Sequence, residues 1–210
     1  ESSVYLHHAD GHRIPAWVRA SALKNEKGEI IGAVEIFTEL KRSVKYQGEM
    51  DELRQSIHHD QLTGLFNYAF MEARLHGVLT EMQHRQGGMG LLFVDIDRFK
   101  SVNETFGFEV GDKILRMVAS SIRQALRDND QVARWGGEEF LVLLSDVDTL
   151  EKVQHVAEKL RMIIEHSRLD IAGDGSLMIS ISLGGTLISP EESVKTLVDR
   201  AEQLMRRSKK

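Results

Sequence analysis

The sequence predicts an α+β protein in which helices cover a central sheet containing at least one antiparallel hairpin. Three observations lead there. From Asp60 onward, segments with helical 3–4 spacing of apolar residues alternate with short apolar runs. Two of those runs, Gln131–Trp135 and Phe140–Leu144, flank a Gly136-Gly137 turn and read as a β-hairpin. Strands and helices that mix around an antiparallel pair favour helices packed on a sheet.

The elements follow in order. Ile14–Leu23 and Ile30–Thr38 are strand-like, the first with alternating Val and Ala and the second rich in Ile, Val and Phe; Asn25-Glu26-Lys27-Gly28 between them is a turn signal. A lone hairpin is marginally stable in water, so this pair is expected to belong to a sheet whose other strands are missing from this chain. Residues 39–59 are polar with sparse apolar positions at Leu40, Val44, Met50, Leu53 and Ile57. The last three suit a helix with one apolar stripe, either a solvated linker or a short parallel coiled coil between two copies. A helix is expected from about Tyr68 to Gln86, stopped by Gly87-Gly88. Gly90–Ile96 reads as a buried strand, Val110–Leu126 as a helix, Leu150–His166 as another, Met178–Leu183 as an alternating strand, and Glu192–Arg207 as a final helix.

The chain has 210 residues, is 41% hydrophobic and carries a formal net charge of −5, enough for one domain of about 150 residues plus additional material and without a basic surface for nucleic acid. There is no cysteine, which excludes disulfides and thiolate metal sites and fits a reducing compartment. No apolar run approaches the ~20 residues of a membrane span, and the first residues lack the pattern of a signal peptide. Entry at Glu1 almost in mid-pattern is expected of a fragment of a longer protein.

Asp95 and Asp97 end the apolar strand Leu91–Val94, and Glu138 and Glu139 lie at the hairpin turn. A carboxylate at a buried strand end is costly unless paired or bound to a cation. If the two strands are neighbours, three or four carboxylates converge and require a divalent ion; oxygen-only ligands favour Mg²⁺ or Mn²⁺. Composition alone reads the same residues as ordinary surface acids on turns.

Arg134-Trp-Gly-Gly-Glu-Glu-Phe140 closely resembles the signature of GGDEF diguanylate cyclases in its Glu variant. Asp60-Gln-Leu-Thr-Gly-Leu-Phe-Asn67 resembles the family's domain-opening motif, and Phe93-Val-Asp-Ile-Asp-Arg-Phe-Lys100-Ser-Val-Asn103 its metal and substrate strand. Gly111-Asp112 and Ala201–Lys209 match later blocks in the right order. The resemblance, over about residues 58–210, implies a cyclase palm with a ferredoxin-like core: a mostly antiparallel sheet wrapped by helices. It implies condensation of two GTP into cyclic di-GMP with release of pyrophosphate, by a homodimer inhibited by its product. The alternative is a catalytically weak domain that only binds GTP or cyclic di-GMP.

By position, the resemblance assigns two Mg²⁺ or Mn²⁺ per site to Asp95, the backbone carbonyl of Ile96, Glu138 and Glu139, with Glu138 also assisting loss of the attacking hydroxyl's proton. Lys100 and Lys209 are assigned to the triphosphate, Asn103 and Asp112 to guanine, and Arg127 and Asp130 to an RxxD product-binding site. Physical readings compete at several of these: solvated surface lysines, and a helix cap at Asp112. The sequence departs from the family pattern at Tyr68, Phe108 and Arg206, none of them a metal ligand. Residues 1–38 resemble the C-terminal half of a PAS sensor domain, 39–59 a signalling stalk, and 60–210 the cyclase domain. The expected location is the bacterial cytoplasm, with tethering through an upstream region left open.

Overall fold

The computed structural model describes residues 2–7, 13–25, 27–39, 57–82, 87–171 and 175–209. The chain divides into two compact units, 1–57 and 58–210. The stalk positions Met50 and Leu53 lie outside the described residues.

The first unit is a three-stranded antiparallel sheet in the order β1 (Ser2–His7), β2 (Arg13–Lys24), β3 (Ile30–Glu39). The expected hairpin is β2–β3; the expectation that its further strands are missing from the chain is corrected by β1, which pairs with β2 and whose short run carried no period. Its turn forms where Asn25 predicts it. The Asn25 carboxamide oxygen accepts the amides of Lys27 at 2.9 Å and Glu29 at 3.0 Å, and Gly28 takes the positive φ of 82° that closes the loop.

The second unit is built on a four-stranded antiparallel sheet in the order β5-β6-β4-β9, where β4 is Met89–Ile96, β5 Gln131–Gly136, β6 Glu139–Ser145 and β9 Ile181–Leu187. A separate hairpin pairs β7 (Arg168–Ile171) with β8 (Gly175–Met178). Among the described residues, five helices surround these strands: α1 (Tyr68–Met82), α2 (Phe99–Phe106), α3 (Phe108–Ala125), α4 (Leu150–Glu165) and α5 (Val194–Ser208). Period-two alternation divides β4 and β6 between two cores. Leu92, Val94, Ile96, Phe140 and Val142 pack with Ile114, Val118, Ile122, Val153 and Leu160 of α3 and α4. Leu91, Phe93, Leu141 and Leu143 pack with Met71, Leu75, Leu197, Ala201 and Met205 of α1 and α5. Every residue of β4 is buried, as expected of a strand with helices on both faces.

Three differences from the expected elements have physical causes. The short helix α2 follows Arg98 in a left-handed conformation (φ 56°), a turn that no glycine announces. The β7–β8 hairpin has exposed or half-buried residues at β8 and therefore little hydrophobic signal. The strand expected at Met178–Leu183 is displaced toward Ile181–Leu187, because Gly184 and Gly185 hide its continuation. Gly184 is required by the backbone of α5, and Gly185 lies against side-chain methyls of the core. A Cβ at Gly184 would lie 2.1 Å from the Met205 amide nitrogen of α5, and one at Gly185 would lie 2.8 Å from Leu92.

The opening motif is tied to the β5–β6 turn by one side chain. Arg134 donates from Nε and Nη2 to the Gly137 carbonyl at 3.0 and 2.8 Å, and from Nη1 to the Asp60 carboxylate at 3.3 and 3.2 Å. Asp60 also accepts the Thr63 amide at 2.9 Å and hydroxyl at 2.7 Å. Burial pushes the Asp60 carboxyl up, but the Thr63 donors and the Arg134 guanidinium outweigh it and hold the group below its usual range. Its stabilisation is therefore present above the ordinary aspartate pKa of ~3.9 and is lost as pH falls through the lowered folded-state value. Asp60→Asn should lower unfolding stability by about 1–2 kcal/mol at pH 7, a value discounted for partial exposure. Denaturant unfolding should show that deficit shrinking below about pH 4; an undiminished deficit at pH 3 would show that charge is not its source.

Candidate functional site

The antiparallel register brings Asp95 of β4 opposite Glu139 of β6. Both follow the parity of Leu91, Phe93, Leu141 and Leu143, so they project on the α1/α5 face at the sheet's end. Glu138 occupies the turn between β5 and β6, and its carbonyl accepts the Ile96 amide at 3.3 Å. Asp95 is buried (5% exposed), and its Oδ1 makes no hydrogen bond; the Lys209 ammonium stands 2.8 Å from that oxygen as an ion pair off the hydrogen-bonding direction. Lys209 follows the end of α5, where Ser208 is the last helical residue.

The cluster is electrostatically stressed. Burial pushes the Glu139 carboxyl above its ordinary range, and Asp95, Glu202 and Glu138 add to the effect, against an opposing pull from Lys209. Among the described residues no group of three or more His, Cys, Asp or Glu side chains is arranged to hold an ion. The chemistry of the donors nevertheless fits a hard divalent cation: an all-oxygen set, a buried Asp95 oxygen without a hydrogen bond, and like charges that a cation would relieve.

Asp97 departs from the expected convergence. Its carboxylate turns to β9, accepting the hydroxyls of Ser180 and Ser182 at 2.6 Å each. It thereby fixes the start of the edge strand instead of joining the acids: it lies one residue past the end of β4, where the hydroxyls of Ser180 and Ser182 hold its carboxylate. The serines that hold it carried no sequence signal.

The turn is braced from outside. The β5–β6 register shifts between Arg134 and Gly136, leaving Trp135 as the bulged residue, and the Tyr68 ring lies against the Trp135 ring at 4.3 Å between centroids. The Tyr68 hydroxyl donates to Glu72 at 2.6 Å.

The second expected group lies on the helices that follow β4. Asn103 of α2 faces Gly111 of α3 so closely that a Cβ at Gly111 would fall 1.9 Å from Asn103 Oδ1. That oxygen is buried without a hydrogen-bond partner. Asp112 follows, half-buried, in the first turns of α3. Lys100 is 87% exposed at its side chain and approaches Glu104 at 3.8 Å, so it stands outside the acid cluster.

The RxxD residues form a compact loop. Asp130, 6% exposed, accepts the Arg127 amide at 3.1 Å and the Ser145 amide at 3.0 Å, while Arg127 is exposed. Asp130 thus shapes the loop that presents the Arg127 side chain. Beside it, His59, Thr63, Arg123, Asp128 and Gln131 help line a cavity of about 510 Å³. No described helix is long and apolar enough to cross a membrane.

The antiparallel sheet thus carries paired acids at the end of its strand β4, next to a glycine-rich hairpin, the arrangement of a palm-like α+β domain. The family model described as "Diguanylate cyclase, GGDEF domain" matches residues 57–210, and the chain belongs to that family. It is 36% identical over 185 residues to diguanylate cyclase DgcP of Pseudomonas aeruginosa, covering 87% of this chain and 27% of that protein. It is 32% identical over 178 residues to the response regulator PleD of Caulobacter vibrioides, covering 80% of this chain and 39% of PleD. The chain therefore spans well under half the length of these relatives. Its fold superimposes on the coiled coil and GGDEF domain of DgcB from Caulobacter crescentus, a structure in complex with c-di-GMP, with a TM-score of 0.73 at 25% identity, covering 80% of this chain and 88% of that one.

Lys209→Ala should leave the Asp95 carboxylate buried beside Glu139 without its counter-charge. We expect a loss of about 1–2 kcal/mol in stability, most of it recovered in the double variant Asp95→Asn/Lys209→Ala. Additive losses in that cycle would show that the pair is not coupled.

Proposed function

We propose that the domain at 60–210 condenses two GTP into cyclic di-GMP, releasing two pyrophosphates. The observation that carries this reading is the placement of Asp95 opposite Glu139, with Glu138 in the adjoining turn and the Lys209 ammonium reaching the same point. In each half-reaction a 3′-hydroxyl oxygen attacks the α-phosphorus of the other GTP, and the bond from that phosphorus to pyrophosphate breaks. Glu138 takes up the hydroxyl proton, a role open to a half-exposed carboxylate next to the strand end. Two Mg²⁺ or Mn²⁺, held by Asp95, the Ile96 carbonyl and Glu138 with Glu139 beside them, would polarise the hydroxyl and stabilise the leaving pyrophosphate. Lys209, and Lys100 once drawn from solvent, neutralise triphosphate oxygens.

Asn103 and Asp112 read guanine. The N1–H and 2-amino group are adjacent donors that an ionised carboxylate accepts, whereas adenine presents an acceptor at N1 and would repel it. The unsatisfied Asn103 oxygen, with Gly111 cleared of side chain beside it, supports a polar ligand at this position. One domain binds one GTP, so both phosphodiester bonds form between two domains related by a twofold axis. Residues 1–38 act as the C-terminal part of a PAS-like sensor domain; the signalling-stalk reading of 39–59 falls mostly on residues outside the described ones.

The test is product identification by chromatography after incubation with GTP and Mg²⁺, alone and with ATP added. We expect cyclic di-GMP alone, and its loss to below a few per cent of wild-type turnover in folded Glu138→Gln. Binding of GTP without product would instead establish the binding-module reading, and appreciable turnover by Glu138→Gln would remove that residue from proton transfer.

Product inhibition is proposed through Arg127. Its guanidinium can grip a phosphate bidentately and stack on a base, on a loop whose form Asp130 sets. Product bridging this loop to a neighbouring domain shifts the population toward an unproductive pairing. Arg127→Ala should leave the initial rate nearly unchanged and raise the half-inhibitory product concentration at least about tenfold, or ~1.4 kcal/mol. Unchanged inhibition would make Arg127 a surface residue.

A further inference from the structure

We propose that the free edge of β9 is a docking site for an extended peptide, which adds a further strand to the sheet of the second unit. In the order β5-β6-β4-β9, β9 lies at one end, with no described strand on its outer side. Ile181–Leu187 contains no charged residue, no Pro and no bulge, the features that ordinarily protect a free edge from pairing.

The register fixes which backbone groups face outward. The Asp97 amide donates to the Ser180 carbonyl at 3.0 Å, and the Ile188 amide to the Met89 carbonyl at 2.9 Å. Hydrogen-bonded pairs alternate with non-bonded ones in an antiparallel ladder. Ser182, Gly184 and Thr186 are therefore spent on β4, while Ile181, Leu183, Gly185 and Leu187 turn their N–H and C=O groups away from it. The Leu187 carbonyl is taken by the Arg200 guanidinium at 3.0 Å. The outward backbone groups of Ile181, Leu183 and Gly185 have no partner among the described residues. These three residues line a groove of about 1210 Å³ that α2, α4 and the end of α5 enclose. That volume exceeds the ~300–1,000 Å³ of a small-molecule site. A row of backbone donors and acceptors at strand spacing selects an extended chain, and the ~13 Å from Ile181 to Gly185 matches a strand of about five residues. A second copy would bring its own α4 and α5 against these helices, so the groove suits a lone strand and not the β9 of another sheet.

Charge orients the occupant. Of the charged side chains lining the groove, Asp97 is held by Ser180 and Ser182, Arg161 pairs with Glu158 and Glu165, and Lys209 pairs with Asp95. Only Arg98 is without an ionic partner among the described residues; it follows Asp97 at the Ile181 end of the edge. The partner is thus an extended segment with small or apolar side chains along the strand and an acidic residue over Arg98.

The experiment follows backbone amide exchange in the full chain by NMR, with the peptide acetyl-Glu-Glu-Val-Thr-Val-Thr-Val-amide as probe. In the free chain we expect fast exchange at Ile181, Leu183 and Gly185 and protection at Ser182, Gly184 and Thr186. The probe should slow the first three at least about tenfold and leave the others unchanged. N-methylation of alternate residues along one edge of the probe should abolish binding, and along the other edge should spare it. Leu183→Pro is tolerated where the N–H faces away from the ladder, and should weaken the probe at least about tenfold, the worth of one hydrogen bond. Arg98→Asn keeps a residue type suited to the left-handed turn, and should make probes with Glu and with Gln bind alike. Protection of Ile181, Leu183 and Gly185 in the free chain that grows with protein concentration assigns the edge to a second copy and overturns the proposal. Failure of the probe to bind at about 1 mM, binding that leaves these amides unprotected, or equal binding by the two methylated probes also overturns it.

Discussion

Everything at the candidate site depends on the pairing register of β4 and β6. Asp95 opposes Glu139, and the apolar residues behind them are matched pair by pair from Val94–Phe140 to Gly90–Leu144. A slip of one residue would move each of those side chains to the opposite face. It would bury the acids among Ile114, Val118 and Leu160 and expose the apolar set to α1 and α5 in the wrong phase. The two cores therefore enforce the register, and the register enforces the proximity of like charges. Repulsion that no isolated hairpin would tolerate is sustained by the hydrophobic packing on both faces of the sheet.

The same economy governs the glycines around the site. Gly111 leaves room for the Asn103 carboxamide, and Gly184 lets α5 approach β9 closely enough for the helix to end near the acids. Lys209 reaches Asp95 because α5 packs on the strand without a Cβ between them. The charge balance at the strand end is thus set partly by a residue type chosen for its lack of a side chain.

Much of this was legible in the residues. The Gly136-Gly137 hairpin, the buried strand ending in Asp95 and the long helices α1, α3, α4 and α5 all announce themselves by period and turn chemistry. The signature blocks supplied the expected chemistry of Asp95, Glu138, Lys209, Asn103 and Asp112. What stayed hidden depends on tertiary partners. Nothing in the spacing of Asp97 distinguishes it from Asp95; only the hydroxyls of Ser180 and Ser182, more than eighty residues away, do so. The inward turn of Asp130 likewise depends on the Ser145 amide, which the pattern around Arg127 does not contain. β1 and the β7–β8 hairpin escaped because short or exposed strands carry little hydrophobic period.

The Arg134 guanidinium has a mechanical meaning. One planar group, rigid across its fork, holds the carboxylate of the residue where the chain enters the domain and the carbonyl of the glycine preceding Glu138. Along the chain those two points are far apart; through the guanidinium they are separated by two hydrogen bonds. A strain applied to the backbone at residues 58–60 does not have to cross the sheet to be felt at the turn. The domain's point of entry and the β5–β6 turn are the two ends of one short strut, so a displacement of the backbone at Asp60 bears directly on the carbonyl that precedes Glu138.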